Sequence, residues 1–126
     1  MSNPPVAPFD LVRLEVDGHP VLVVYGELDV VTSPRLHEAL SELINAKASA
    51  VLVDMANVTF LDSSALGTLV VAHRHLAEAG NELRLVAVPE RLATIFQVTG
   101  LSERFRIFPD MHSATEQTEV SEEKTP

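Results

Sequence analysis

The stretch AVLVDMANVTFLDSSALG, residues 50–67, decides the fold of this chain. Its first four residues are apolar on both alternating faces, which is typical of a central strand in a parallel sheet. Its last six residues, Asp62-Ser63-Ser64-Ala65-Leu66-Gly67, open a segment in which apolar residues recur at helical spacing. A buried strand that leads directly into an amphipathic helix predicts an α/β domain, with the hexapeptide at the junction.

The junction residues allow two interpretations. The first backbone N–H groups of a helix have no partner within the helix, and the peptide dipoles make this end partly positive. Asp and Ser are the residues that cap such an end, and the same end also suits an anion such as a phosphate. From the residues alone, Asp62-Ser63-Ser64 is therefore either a capped helix start or a phosphorylated switch.

The chain before this stretch predicts a hairpin and a helix. In residues 11–16 apolar side chains alternate with polar ones, as a half-buried strand requires. The turn Asp17-Gly18 leads into a second strand at residues 21–25, which completes an N-terminal hairpin. Gly26-Glu27-Leu28-Asp29 interrupts this strand. A helix then begins at Ser33-Pro34, with the serine at the cap and the proline at the first helical position.

The chain after the stretch predicts two further strands and a third helix. The helix that follows the junction ends at Gly80 and carries an apolar stripe. The stripe consists of Leu66, Leu69, Val70, Leu76 and Ala77. A strand follows at residues 83–88, a helix opens at Pro89-Glu90 and ends at Gly100, and residues 106–108 form a short last strand. The order predicts an α/β fold with a mixed β-sheet, an N-terminal hairpin and packed α-helices.

Length and composition fit a single domain with a hydrophobic core. The chain has 126 residues, of which 46% are hydrophobic, and this is close to the commonest domain size. We expect a flexible lead-in at residues 1–8, a domain at residues 9–112, and an acidic, partly disordered tail at residues 113–126 that can begin with a short helix at Ser113. There are no cysteines, no apolar run of membrane-spanning length and no signal-like start, which favours a cytoplasmic protein without disulfides.

Charge and motif content disfavour nucleic-acid binding and catalysis. Eighteen acidic and nine basic residues give a net charge of −9, so a basic protein surface is a more natural partner than DNA or RNA. The serine turn lacks the Gly-x-Ser-x-Gly pattern of hydrolases, and there is no glycine-rich phosphate loop. His73 and His75 stand at helical positions i and i+2, which point away from each other rather than toward one metal. The sequence predicts a non-enzymatic protein with no cofactor, no metal site and no catalytic residue.

Three segments, in order, resemble the STAS-domain anti-sigma factor antagonists of bacterial partner-switching systems. GELDVVTSPRL, residues 26–36, resembles the loop and first helix start of that family. Residues 51–67 resemble its central strand and phosphoacceptor turn, and RLATIFQVTGLSERFRIFPD, residues 91–110, is similar to its last helix and strand. The resemblance implies a STAS-like fold and a protein that, when unphosphorylated, binds an anti-sigma factor and so releases a sigma factor for transcription.

The resemblance also implies which residues act. In this family the anti-sigma factor is often the serine kinase as well, and it phosphorylates the second serine of the Asp-Ser-Ser turn, which is Ser64 here. A phosphatase would restore binding. Ser63 is expected to cap the helix, while Ser63 and Thr59 are alternative acceptors. The expected partner-binding residues are Asp29, Asp62, Ser63 and Ser64.

Two questions stay open at this stage. Within the same family, a non-enzymatic STAS subunit that serves assembly, in a stress-signalling complex or a lipid transporter, would share the fold and could share the serine. The oligomeric state is open between a monomer and a weak dimer.

One residue departs from the family pattern, because many relatives have Gly where this chain has Ala65. Ala favours helix over Gly by about 0.8 to 1 kcal/mol and adds a methyl group beside the acceptor.

Overall fold

The computed structural model describes residues 8–116 of the chain, and these residues form a five-stranded sheet with four α-helices. Most of the predicted lead-in and tail, residues 1–7 and 117–126, therefore lies outside the described residues. In chain order the elements are β1 (Asp10–Val16), β2 (His19–Leu28), α1 (Ser33–Asn45), β3 (Ala50–Leu61), α2 (Ser63–Glu78), β4 (Glu82–Val86), α3 (Glu90–Val98), β5 (Arg106–Phe108) and α4 (Met111–Glu116).

The sheet is mixed and has the strand order β1-β2-β3-β4-β5. β1 and β2 are antiparallel and form the predicted hairpin, while β2 to β5 are parallel to one another. The turn residues Asp17 and Gly18 both have positive φ, 52° and 83°, which is the conformation of the two-residue turns that fit the twist of a hairpin. β3 is the central strand, and its prediction from residues 50–53 is confirmed.

Side chains of the parallel strands alternate between two cores. One core packs β2, β3 and β4 against α1, α2 and α3, and the other packs the opposite side of the sheet against α4. In α2 the predicted stripe is confirmed at Leu66, Leu69 and Leu76 but is wrong at Ala77, which is exposed. Ala77 follows Leu76 directly and is turned about 100° away from the core. Ala72 occupies the buried face instead.

α4 is held by a buried ionic cluster on the second side of the sheet. Arg84, which is fully buried, donates from Nη1 to the carbonyl of Ala114 at 2.7 Å and from Nε to Glu82 at 2.8 Å. Glu82 also accepts from Arg106 at 2.9 Å. α4 begins earlier than the expected Ser113, at Met111, because the carboxylate of Asp110 accepts the backbone N–H of Ser113 at 2.8 Å.

The predicted break at residues 26–29 is wrong, because β2 continues through Gly26 to Leu28. Gly26 has φ +88°, and a Cβ there would lie 2.9 Å from the Cα of Phe9. The glycine produces a register irregularity rather than an end, and parallel pairing with β3 resumes up to Leu28 and Leu61. β2 and β3 therefore end side by side, which brings the segments after them together.

Several helix and strand ends differ from the prediction by one or two positions. The cap of α1 is Thr32, not Ser33, because the N–H of Ser33 already closes a turn onto the carbonyl of Asp29 at 2.8 Å. β4 ends at Val86, since the next residue, Ala87, has φ +57° and donates its N–H to the carbonyl of Phe108. The helix ends predicted at Gly80 and Gly100 are confirmed, since each glycine directly follows the C-cap residue and itself has positive φ, 79° and 78°.

Candidate functional site

The candidate site is built at the carboxyl ends of β2 and β3, where two short segments meet. One is the loop at residues 29–32 between β2 and α1, and the other is Asp62 with the first turn of α2. The backbone N–H of Asp62 donates to the carbonyl of Leu28 at 3.1 Å, so the two segments are joined directly. Asp29 and Asp62, both expected to bind the partner, therefore lie on one rim of the sheet.

Asp62 is the cap of α2. It has extended backbone angles, φ −116° and ψ −174°, and its Oδ1 accepts the N–H groups of Ser64 at 2.9 Å and Ala65 at 3.2 Å. The expectation that Ser63 caps the helix is wrong, because Ser63 is already the first helical residue. The N–H groups that a cap satisfies, those of Ser64 and Ala65, are both held by Asp62. The side chain of Ser63 is instead exposed at the surface.

Ser64 and Ala65 are less exposed than Ser63. Ser64 is half-buried, its N–H is held by Asp62, and its carbonyl accepts the hydroxyl of Thr68 at 3.1 Å. Ala65 is fully buried and belongs to the core between the sheet and α1 to α3. The methyl group that distinguishes this chain from many relatives therefore fills core space rather than standing beside the surface hydroxyls.

Asp29 organises the loop before α1. Its Oδ1 accepts the N–H groups of Val31 and Thr32, both at 3.0 Å, and its own N–H donates to the hydroxyl of Thr32 at 2.9 Å. The hydroxyl of Thr32 also lies 2.8 Å from the carbonyl of Glu27. The hydrogen bond from the N–H of Thr32 is the main reason why the pKa of Asp29 lies below its ordinary value of 3.8.

Large apolar side chains stand exposed around the two aspartates. The exposed fraction is 68% for Val30, 77% for Val31 and 47% for Phe60. Phe60 lies next to Glu27 of β2 in the sheet register, just before the cap of α2. The sequence analysis missed these three residues, although two adjacent valines between Asp29 and the start of a helix are a signal, since they belong to neither the apolar stripe of the helix nor the strand before it. We call the set Asp29, Val30, Val31, Phe60, Asp62 and Ser63 the carboxyl-end surface.

Thr59 and Arg91 lie beside this surface. Thr59 is exposed on β3, in the part of that strand that runs beyond its pairing with β4. Nη2 of Arg91, from α3, lies 3.4 Å from the carbonyls of Val58 and Thr59, so these are long and weak hydrogen bonds. Thr59 is thus a surface hydroxyl, but it is not at a helix N-terminus.

The histidines of α2 do not converge on a site. His73 packs edge-on against Phe105 with ring centroids 5.3 Å apart, and its Nδ1 is buried without a hydrogen-bond partner. Burial and the positive charge of Arg104 lower the pKa of His73, while His75 is exposed. Within residues 8–116, no group of three His, Cys, Asp or Glu side chains is arranged to hold a metal ion.

None of the helices in the described part of the chain has the length and apolar character that crossing a bilayer requires.

Comparisons with known proteins agree with this architecture. The family model of the STAS domain matches residues 11–114. The anti-sigma-B factor antagonist of Listeria monocytogenes is 38% identical over 90 residues, which are 71% of this chain and 78% of that protein. The anti-sigma-B factor antagonist of Staphylococcus aureus is 34% identical over 84 residues, 67% of this chain and 78% of that protein. The crystal structure of an anti-sigma factor antagonist from Mycobacterium paratuberculosis has a TM-score of 0.79 at 27% identity and covers 86% of this chain and 92% of that one.

Proposed function

The chain belongs to the STAS domain family, and from this we propose that it is an anti-sigma factor antagonist, like the relatives whose names state that role. In this proposal the unphosphorylated protein binds an anti-sigma factor that is also a serine kinase. Binding releases a sigma factor for transcription, and phosphorylation of a serine at the start of α2 ends the binding.

The observation that carries the proposal is the exposed apolar side chains of the carboxyl-end surface. Val30, Val31 and Phe60 are each about half exposed or more. Val30 and Val31 follow Asp29, Phe60 precedes the cap Asp62, and the exposed Ser63 follows that cap directly. Exposed apolar side chains among polar residues are typical of a protein-binding surface. A binding surface that includes a modifiable hydroxyl is what a phosphorylation switch requires.

The caps explain why a phosphate here would act on binding rather than on folding. The N–H groups of Ser64 and Ala65 already donate to Asp62. A phosphate on a neighbouring hydroxyl would therefore leave the hydrogen bonds within the domain unchanged. Its charge of about −1.5 to −2 would lie beside the carboxylate of Asp62 and face the partner. Like charges and added bulk at the contact would weaken the complex, and roughly 1.4 kcal/mol corresponds to tenfold in affinity.

Two serines compete for the role of acceptor. The family resemblance implies Ser64, whereas side-chain exposure favours Ser63, because Ser63 is exposed and Ser64 is half-buried. A kinase must bring the hydroxyl within reach of a transferred phosphoryl group, so exposure is a direct advantage. Thr59 is exposed as well, but it lies on β3 and lacks the favourable electrostatics of a helix N-terminus.

The rest of the proposal follows from charge and composition. The net charge of −9 opposes binding to DNA or RNA and favours a positively charged surface as the partner. We therefore expect the partner to be a protein with a basic face. The role requires no catalysis, cofactor or membrane contact by this chain. It places the chain in the cytoplasm, where the sigma factor, the kinase and the phosphatase that reverses the modification would also be.

The proposal is tested by incubating the protein with candidate anti-sigma kinases from the same organism, with and without ATP. We expect binding without ATP, loss of binding with ATP, and a phosphate on the Asp62-Ser63-Ser64 turn in site-resolved mass spectrometry. The variants Ser63→Ala and Ser64→Ala identify the acceptor, since one of them blocks modification while both still bind. Retained binding by both Ser63→Glu and Ser64→Glu would contradict a switch at this turn.

A further inference from the structure

The outer edge of β1 is available for pairing with another strand. β1 is the first strand in the sheet order, so β2 occupies one side of it and no strand among residues 8–116 occupies the other. The backbone N–H and C=O groups on an open strand edge form a template for a further strand. The backbone groups and side chains that β1 exposes at this edge determine which strand fits there.

The hairpin turn fixes which backbone groups face outward. Asp17 and Gly18 form a two-residue turn that joins the paired residues Val16 and His19. In such a hairpin the residues that flank the turn hydrogen-bond to each other, and the pattern alternates along the strands. Every second residue back from Val16 therefore bonds to β2, and the residues between them, Arg13 and Glu15 in the middle of the strand, direct their N–H and C=O groups outward.

The side chains of β1 divide into an ionic face and an apolar face. Arg13 and Glu15 lie on the side of α1, where Arg13 forms an exposed ion pair with Glu42 at 2.8 Å. Val12 and Leu14 lie on the opposite side of the sheet, next to Val23 and Val21 of β2. Leu14 is 49% exposed. Between Val12 and Val16 the strand thus offers one positive charge, one negative charge and an exposed leucine between them, while the second negative charge of β1, Asp10, lies at its start.

This pattern is complementary to itself in one antiparallel register. We propose that the chain forms a symmetric dimer in which β1 pairs antiparallel with β1 of a second copy, with Leu14 on the two-fold axis. Arg13 then lies opposite Glu15 of the second copy, and Glu15 opposite its Arg13. A shift of the two-fold axis by one residue in either direction would instead place arginine against arginine or glutamate against glutamate, which is unfavourable.

Charge is the reason to choose a second copy as the occupant. Monomeric proteins commonly protect an edge strand with charges that repel another strand, such as lysines. Here the two charges in the middle of the edge, Arg13 and Glu15, have opposite sign and attract the same edge of another copy. The pair between Arg13 and Glu42 does not compete strongly, because both side chains are more than half exposed and surface ion pairs contribute little.

The dimer is independent of the proposed function. β1 contributes no residue to the carboxyl-end surface, so each copy would keep that surface free for a partner. The net charge of −9 on each chain opposes association. We therefore expect a weak, concentration-dependent dimer, whose loss would leave the binding of an anti-sigma factor by one copy unaffected.

Cysteine cross-linking tests the register directly, because the chain contains no cysteine of its own. In the proposed dimer the two Leu14 residues form a pair without mutual hydrogen bonds, with Cα atoms about 4.5 Å apart, which suits a disulfide. We expect Leu14→Cys to form a covalent dimer under mild oxidation. The matched control is Val12→Cys, whose two copies would be about 14 Å apart and should not cross-link. A mixture of Val12→Cys and Val16→Cys should cross-link, because these positions are opposite each other.

Charge reversal tests the same register without a covalent bond. Sedimentation over a concentration series should show a dimer whose dissociation constant rises about tenfold or more in Arg13→Glu or Glu15→Arg, and recovers in the double variant Arg13→Glu/Glu15→Arg. Glu42→Gln, which removes only the pair within one chain, should leave the dimer intact. The proposal is overturned by a monomer at every concentration, by a larger assembly, by equal cross-linking through Val12→Cys, or by a double variant that does not recover.

Discussion

The two helices that border the carboxyl-end surface both start near an aspartate, but the two aspartates act differently. Asp62 directly precedes α2 and caps it, and the first residue it leaves exposed is a serine. Asp29 is the first residue of the loop that precedes α1, and its carboxylate accepts the N–H groups of Val31 and Thr32. The residues that this loop leaves exposed are two valines, Val30 and Val31.

Because of this difference, we expect the two segments to contribute differently to the binding of a partner. An exposed apolar side chain gains free energy when a partner buries it, whereas an exposed hydroxyl contributes little to affinity but can be modified. The loop before α1 would therefore supply affinity, and the first turn of α2 would supply regulation. Since the N–H of Asp62 is bonded to the carbonyl of Leu28, the two parts are held next to each other.

The largest effect that this comparison predicts is on binding. Val31→Asp should weaken binding to the anti-sigma factor by about 2 kcal/mol, or roughly thirtyfold, because it places a charge where an apolar side chain would be buried. Folding stability should be nearly unchanged, since Val31 is 77% exposed. Titration calorimetry and urea denaturation measure the two quantities.

The matched control for that experiment is Val98→Asp. Val98 is the same residue type, is 80% exposed, and lies at the end of α3, outside the carboxyl-end surface. It should bind normally. Equal loss of affinity in both variants would mean that general acidity, and not the loop before α1, determines binding.

The next effect is on stability and separates the cap from its neighbour. Asp62→Ala should lower the free energy of unfolding by about 1 kcal/mol, because the N–H groups of Ser64 and Ala65 lose their acceptor. Asp62→Asn should retain most of the stability, and Ser63→Ala should change it little, since Ser63 is not the cap. Urea midpoints give the ranking. A larger loss in Ser63→Ala than in Asp62→Ala would reverse the assignment made from the structure.

The order of elements could be predicted because it depends on local patterns. The hairpin follows from alternation and the turn Asp17-Gly18, and the central strand follows from an apolar run that no surface strand would carry. The buried residues of α1, Leu36, Leu40 and Leu43, follow from helical spacing. Each of these signals lies within a few residues of the helix or strand that it specifies. Contacts between distant parts of the chain are therefore not needed to predict these elements.

The errors occurred where tertiary pairing decides between local alternatives. Gly26 is compatible with both a strand end and an irregularity within a strand, and pairing with β3 selects the second. Three consecutive residues, Asp62-Ser63-Ser64, could each cap a helix. The hydrogen bond from Asp62 to Leu28 fixes where β3 stops, and this selects Asp62. The exposure of Val30 and Val31 likewise depends on how the loop folds onto Asp29.

The smallest predicted effect concerns the acid stability of the loop before α1. The pKa of Asp29 is lowered below 3.8 in the fold, chiefly because the ionised carboxylate accepts the N–H of Thr32. Its contribution to stability is therefore complete above pH 3.8 and is lost as the pH falls through the lowered pKa of the folded state. The carboxyl carbon of Asp29, followed by NMR, should titrate below the pH at which it titrates in a short peptide.

The matched variant is Asp29→Asn, which keeps a side-chain oxygen for the same N–H groups but has no charge to titrate. Its loop amides, Val31 and Thr32, should show chemical shifts that no longer change over this acidic range, while the amide shifts of Ser64 and Ala65 at neutral pH should equal those of the unmodified chain. An effect confined to the loop before α1 would show that each helix start is organised by its own aspartate. If Asp29→Asn also shifted the amides of Ser64 and Ala65, the two starts would form one coupled unit, and the proposed separation between affinity and regulation would fail.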